Sequence, residues 1–183
     1  MQQSYEPTKQ FEIAHLGQPI LKMQAKLVGN ILSDECQNLI SEMMRTVELA
    51  GGVGIAAPQI FKSVRIFIMC SKPNARYPDA PLMQPTAIIN PELIEASIDK
   101  EKGWEGCLSV PSLRGLVPRH KKIKVQYYDQ NGQKHQTIYT GFIARIFQHE
   151  MDHLDGLTFV DRVESVQDLV SESYWYEHFA PNA

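Results

Sequence analysis

The sequence predicts an α+β fold, with antiparallel or mixed sheets packed around a central helix and a further helix at the C-terminal end. Two observations carry this expectation. Short β-branched runs occupy the middle of the chain, at 64–70, 86–90, 93–98, 122–128 and 134–140. Helical periodicity appears at 33–50, at 141–154 and again near the end, so the strands come mostly before the main helix. A length of 183 residues fits one domain spanning 1–183 with one sizeable core.

Each element has a local reason. Ser33 is placed to cap a helix, with Asp34 and Glu35 in its first turn, where the helix dipole favours negative charge. Leu39, Ile40, Met43, Met44 and Val47 follow at helical spacing, and Gly51-Gly52 ends the helix. Residues 64–70 are β-branched and bounded by turn residues, which predicts a strand. Residues 71–85 hold four prolines and little periodicity, which predicts a long surface loop. Two short strands are expected around Pro91. Asn131-Gly132 between 122–128 and 134–140 is a strong hairpin signal. Residues 141–154 read as a helix capped by Thr140, with Phe142, Ile146, His149 and His153 along one stripe. A last helix is expected over about 165–179, with Val166, Leu169 and Val170 facing inward.

Bulk properties exclude several classes. Hydrophobic residues make up 43 % and charged residues 21 % of the chain, an ordinary globular mix. The net charge of −3 argues against a nucleic-acid binder. The basic run 119–124 reads as a solvated strand edge. Three cysteines, Cys36, Cys70 and Cys107, are too few and odd in number for a disulfide framework, which points to a reducing, cytoplasmic compartment. Cys36 and Cys70 are expected to be packing residues. No apolar run reaches the roughly 18 residues of a membrane helix, and residues 1–17 do not read as a signal peptide.

The chemistry concentrates in His149-Glu150-Met151-Asp152-His153. Two histidines at i and i+4 leave a helix on the same side, so both rings can meet one metal ion, and Glu150 can reach a water bound there. This makes 141–154 the central metal-binding helix of the predicted fold. A charged surface helix is the plain alternative. Two histidines do not complete a catalytic site, so a third protein ligand is expected. The position six residues after His153 is Phe159, which cannot ligate. Glu172 lies 19 residues beyond His153 and stays open as a ligand. Upstream, Cys107 sits in Glu105-Gly106-Cys107-Leu108-Ser109-Val110-Pro111, a segment that does not read as regular structure.

Three segments together resemble the three signature motifs of the peptide deformylase family. They are Gly52-Val53-Gly54-Ile55-Ala56-Ala57-Pro58-Gln59, Glu105-Gly106-Cys107-Leu108-Ser109 and His149-Glu150-Met151-Asp152-His153, in the family's order. The resemblance covers roughly residues 15–165. It implies an amide hydrolase that removes the formyl group from the N-terminal formylmethionine of nascent peptides.

The resemblance further implies a role for each matched position. Cys107, His149 and His153 would hold one divalent metal, Fe2+ in the cell, with Zn2+ or Ni2+ able to substitute. Glu150 would be the general base and acid. Gln59 and the Leu108 backbone N–H would stabilise the oxyanion. Gly54 would let the substrate backbone approach closely, although a simple turn glycine is the alternative. Val53, Phe142 and Ile146 would line the methionine pocket, with ordinary core packing as the alternative for Phe142. Arg114 would steady the peptide. Asp152, Arg119 and Glu105 would pair behind the ligands and orient a histidine. Many family members have an apolar residue at Arg145, while another branch of the family carries arginine; its stem could line a pocket and its head reach solvent. N-formylmethionyl nascent peptides, with the ribosome nearby, are the implied partners.

Two other functions compete at this point. One is a zinc endopeptidase using His149, His153 and Glu172. The other is a deformylase-like paralogue that keeps the metal and only binds. The intact catalytic positions argue against the latter.

Overall fold

A computed structural model describes residues 12–74 and 76–180. Among the described residues, eight strands and three α-helices follow one another as α1 (Asp34–Leu49), β1 (Gly54–Ala56), β2 (Ile66–Met69), β3 (Thr86–Ala96), β4 (Lys100–Cys107), β5 (Val110–His120), β6 (Lys122–Tyr128), β7 (Lys134–Thr140), α2 (Gly141–Leu154), β8 (Leu169–Ser171) and α3 (Glu172–His178). Two antiparallel sheets result, one with strand order β1-β2-β3-β6-β7 and the other with order β4-β5-β8.

The larger sheet is covered on both faces, which explains why β2 is buried at every position. Alternation along a strand sends Ile66 and Ile68 to one side, where they pack with Ile40, Met43 and Val47 of α1. Phe67 and Met69 point the other way, onto Ala144, Phe147 and Leu154 of α2. Helix α2 also touches β5 of the smaller sheet, so it lies where the two sheets meet. Cys36 and Cys70 are buried in the α1 cluster, as expected for packing residues.

Ser33 caps α1, its side chain accepting from Cys36 N. Thr140 stands at the N-cap of α2 without a side-chain cap bond. Four expectations need correction. The two short strands around Pro91 are one strand, β3, whose register shifts between Ile89 and Glu92. Asn90 takes a positive φ of 49° there, and its side chain bonds both backbone groups of Val28. A bulge of this kind accommodates a proline that an unbroken ladder would reject. Next, residues 105–111 are regular after all: they are the end of β4, a tight turn at Leu108-Ser109 and the start of β5. The basic run 119–124 is not wholly solvated, because Arg119 is buried.

The last correction concerns the chain's end. No single helix spans about 165–179; a 3-10 turn (Val166–Asp168) leads into β8, and α3 has only 7 residues. Leu113, Arg114 and Gly115 on the open edge of β5 pair with β8, and that ladder outcompetes helix for Leu169 and Val170. Leu169 packs inward as predicted, but Val166 is 81 % exposed.

Candidate metal centre and active site

Helix α2 presents His149 and His153 from one face, a turn apart. Cys107 arrives from the other sheet, at the end of β4, where the β4–β5 register slips between Glu105 and Cys107. Such a slip re-aims the side chains around it. Cys107 Sγ lies 3.2 Å from His153 Nε2, and one ligating atom from each of Cys107, His149 and His153 falls within 4.8 Å of the others. Burial alone would raise the Cys107 thiol, but the imidazoles of His153 and His149 outweigh it and hold the thiol well below its ordinary value. A thiolate with two imidazoles is a donor set that suits zinc or iron, so these residues fit the metal that the motifs imply.

Behind these three residues lies a buried ionic network. His149 Nδ1 stands 2.8 Å from Glu105 Oε2. Burial would lift the Glu105 carboxyl, yet the hydrogen bond from His149 and the Arg119 charge prevail and hold it well below the usual carboxylate range. The ionised carboxylate can only accept, so His149 donates through Nδ1 and keeps its Nε2 lone pair for a metal. Arg119 donates to Glu105 through Nε and Nη2, at 2.9 and 3.0 Å, and to Asp152 through Nη1 at 2.6 Å. Arg162 closes the chain on Asp152.

Glu150 is buried beside the ligands, and its Oε2 has no partner among the described residues. Burial pushes its carboxyl up to about 7. Gln59, from the 3-10 turn Ala57–Ile60, uses its side-chain oxygen to accept from Ala56 N at 2.8 Å. That bond fixes the amide, whose Nε2 donates towards Cys107 Sγ at 3.3 Å and to Ser109 Oγ at 3.1 Å. Leu108 lines the same cavity at the turn after Cys107.

The cavity has a volume of about 290 Å³. Val53, Gly54, Phe142 and Ile146 line it, as do Cys107, His149 and Glu150. Phe142 also packs on the core while it faces the cavity. Tyr77 from the 71–85 loop packs at a tilt on Phe142 with ring centroids 4.9 Å apart, and Arg76 beside it donates to Gly51 O at 2.6 Å. Arg114 lines the cavity but is itself buried, paired with Glu172 and lying 4.9 Å over the Trp175 ring.

The structure thus brings together every position singled out from the motifs, and corrects two details. The Arg145 head is mostly buried rather than free in solvent: it bonds Glu105 and three backbone carbonyls, while the residue lines the cavity. Glu172 stands apart from the ligand cluster, neutralising Arg114 instead. Ser109, Arg162, Tyr77 and Trp175 were missed. Ser109 lies inside the second motif, where its role as a partner of Gln59 was within reach. The other three carry no local signal, since each meets the site only through contacts distant in sequence.

Comparison with known proteins agrees with this geometry. The model of the family described as Polypeptide deformylase matches residues 10–168. Peptide deformylase 2 of Nostoc sp. is 51 % identical over 170 residues, covering 93 % of this chain and 95 % of that protein. Peptide deformylase 2 of Shewanella oneidensis is 49 % identical over 156 residues, 85 % of this chain and 86 % of that protein. Among solved structures, the Met-Ala-Ser-bound class I type b peptide deformylase of Acinetobacter baumannii superposes with a TM-score of 0.82 at 44 % identity, over 85 % of this chain and 99 % of that one. With the motifs, the fold and the sequence relatives in agreement, the chain belongs to the polypeptide deformylase family.

Proposed function

We propose that the chain, as one catalytic domain, hydrolyses the formyl amide of N-formylmethionyl peptides, with water and the formyl-peptide giving formate and a free amino terminus. The observation that carries this reading is the convergence of Cys107, His149 and His153, with Cys107, His149 and Glu150 lining one cavity and Glu150 Oε2 buried without a partner among the described residues. A divalent ion held by these residues supplies Lewis acidity, lowering the pKa of water from about 15.7 towards about 7.

The protein's own groups do the rest. Val53, Phe142 and Ile146 form the apolar wall for the methionine side chain. Glu150 accepts the proton of the attacking water and delivers it to the departing amine nitrogen, so the free amino terminus leaves protonated as needed. Its burial suits this exchange, because burial favours the protonated carboxyl and so helps Glu150 hold the proton between the two steps. Gln59 Nε2 and the Leu108 N–H donate to the formyl oxygen as it gains charge. Each such donor is worth about 2.7–4 kcal/mol of barrier. Arg114, held by Glu172 and Trp175, steadies the peptide beyond the methionine.

Ferrous iron is the metal we assign to the working enzyme, with Zn2+ or Ni2+ able to occupy the same sulfur and nitrogen donors. The reaction belongs in the cytoplasm, on chains emerging from the ribosome. No helix among the described residues is long and apolar enough to cross a membrane.

The test is anaerobic turnover of formyl-Met-Ala-Ser with metal analysis of the same sample. Formate release proportional to metal content is expected. A metal-loaded protein that released none would leave only a binding role. Metal content in Cys107→Ala and Glu172→Ala separates the peptidase alternative: the cysteine variant loses the ion and the glutamate variant keeps it. Inactivation by aerobic peroxide is expected for iron; full survival would exclude it.

A further inference from the structure

We propose that Arg145 is a positioning residue for His149, acting through Glu105; this rests on reading Cys107, His149 and His153 as the metal ligands. Arg145 and His149 are one turn apart on α2 and leave the same face. The Arg145 side chain is only 12 % exposed. Its Nη1 donates to Glu105 Oε1 at 2.8 Å and to Val117 O at 2.9 Å, with Gly103 O at 3.3 Å. Its Nη2 donates to Glu101 O at 2.7 Å.

An ionised carboxylate offers about four acceptor sites. At Glu105 these are filled by Arg119 Nε and Arg145 on Oε1, and by Arg119 Nη2 and His149 on Oε2. Arg119 grips the carboxylate from β5 and Arg145 grips it from α2. Two guanidinium groups from different elements fix the carboxylate plane, and that plane sets the direction in which Oε2 meets His149 Nδ1. Arg145 has a second consequence. Its bonds to the carbonyls of 101, 103 and 117 tie the β4–β5 hairpin, which carries the sulfur, to the helix that carries both imidazoles.

Gly103 gives independent support. A Cβ there would lie 2.8 Å from the Arg145 Cζ, so the strand has no side chain where the guanidinium sits. The atoms in the way are the far end of a flexible side chain. Alanine at 103 is therefore accommodated by displacing the guanidinium, with its charge retained.

The experiment uses the full chain loaded with Co2+, and follows release of the ion to a chelator by its visible absorption bands. Partners behind metal ligands typically matter by about 10–100-fold in affinity. Arg145→Met is expected to release Co2+ about tenfold faster and to shift the bands. Gly103→Ala moves both readings in the same direction, and decides the matter if Arg145→Met does not fold. Arg145→Lys recovers part of the retention. Lys102→Ala, which breaks only the exposed pairs with Glu164 and Asp168, releases at the parent rate. Unchanged release and bands in both Arg145→Met and Gly103→Ala overturn the proposal, as does equally fast release from Lys102→Ala. A parent chain that takes up no Co2+, or a Cys107→Ala variant that holds it as well, would instead refute the ligand assignment itself.

Discussion

A Cβ on Gly54 would fall 2.8 Å from the carboxyl carbon of Glu150. The glycine of the first motif thus leaves the volume that the glutamate of the third motif occupies. This gives Gly54 a task within the protein, beside the close approach of substrate backbone expected of it. It also ties β1 to the chemistry of α2, two elements some ninety residues apart in the chain.

Gly54→Ala should therefore displace Glu150 while leaving the metal ligands in place. A shift of about 1 Å in a reacting group costs roughly a hundredfold. We expect kcat to fall by about that factor, with metal content unchanged by mass spectrometry. Parent-level kcat would mean that Glu150 does not need its present position.

Gln59→Leu tests the second donor. The expected loss in kcat is about 10²–10³-fold, the usual value of one such hydrogen bond in the transition state. Gln59 also accepts from Ala56 N, so the variant orphans a buried N–H and loses about 1–3 kcal/mol of stability. Kinetics and urea denaturation read the two effects separately. A stability loss with kcat intact would make Gln59 a loop-ordering amide only.

Arg119→Met probes the ionic network. Arg119 is buried between Glu105 and Asp152, and removing one partner of a buried pair typically costs about 3–5 kcal/mol. Arg145 and Arg162 remain to share the two carboxylates, which places the expected loss near about 3 kcal/mol. Urea unfolding of the metal-free protein measures it. A loss of the size seen for exposed pairs, about 0–1 kcal/mol, would show that the network is not needed for folding.

The three thiols should differ in reactivity. Burial, with Glu150 nearby, pushes the Cys70 thiol up to about 11, and burial with Glu35 raises Cys36 as well. Both stay protonated at pH 7.5, whereas Cys107 lines the cavity. Iodoacetamide should label metal-free protein at Cys107 first, as read by peptide mass mapping, and bound metal should protect it. A raised thiol favours the folded state only while it stays neutral. Stability is therefore expected to fall as pH climbs from about 9 through about 11, where the unfolded chain ionises Cys70 and the folded one resists. Flat stability across that window would contradict the burial of Cys70.

Much of the site was legible in the residues alone. Two histidines one turn apart announce a shared ligand because helical geometry is local, and the flanking glutamate follows by adjacency. The Asn131-Gly132 hairpin was readable for the same reason, and Gly132 takes a positive φ of 74° in the longer loop that joins β6 to β7. The chain's end was misread because β8 forms only by pairing with β5, a partner more than fifty residues away. Chemistry alone predicts a solvated head for Arg145, yet Glu105 and the carbonyls of 101, 103 and 117 take it up.

What the sequence determined by itself is the short-range part: the α2 histidine pair, the strand and turn periods, and three motifs dense enough to signal a deformylase. What only tertiary structure decided is which distant groups complete each charge. Glu172 pairs with Arg114 and stays off the metal cluster, and Glu105 is shared among Arg119, Arg145 and His149. The physical reason is that periodicity and turn chemistry act over a few residues. A buried charge instead takes whatever partner the packed fold brings within hydrogen-bond reach, because leaving it unpaired costs several kcal/mol.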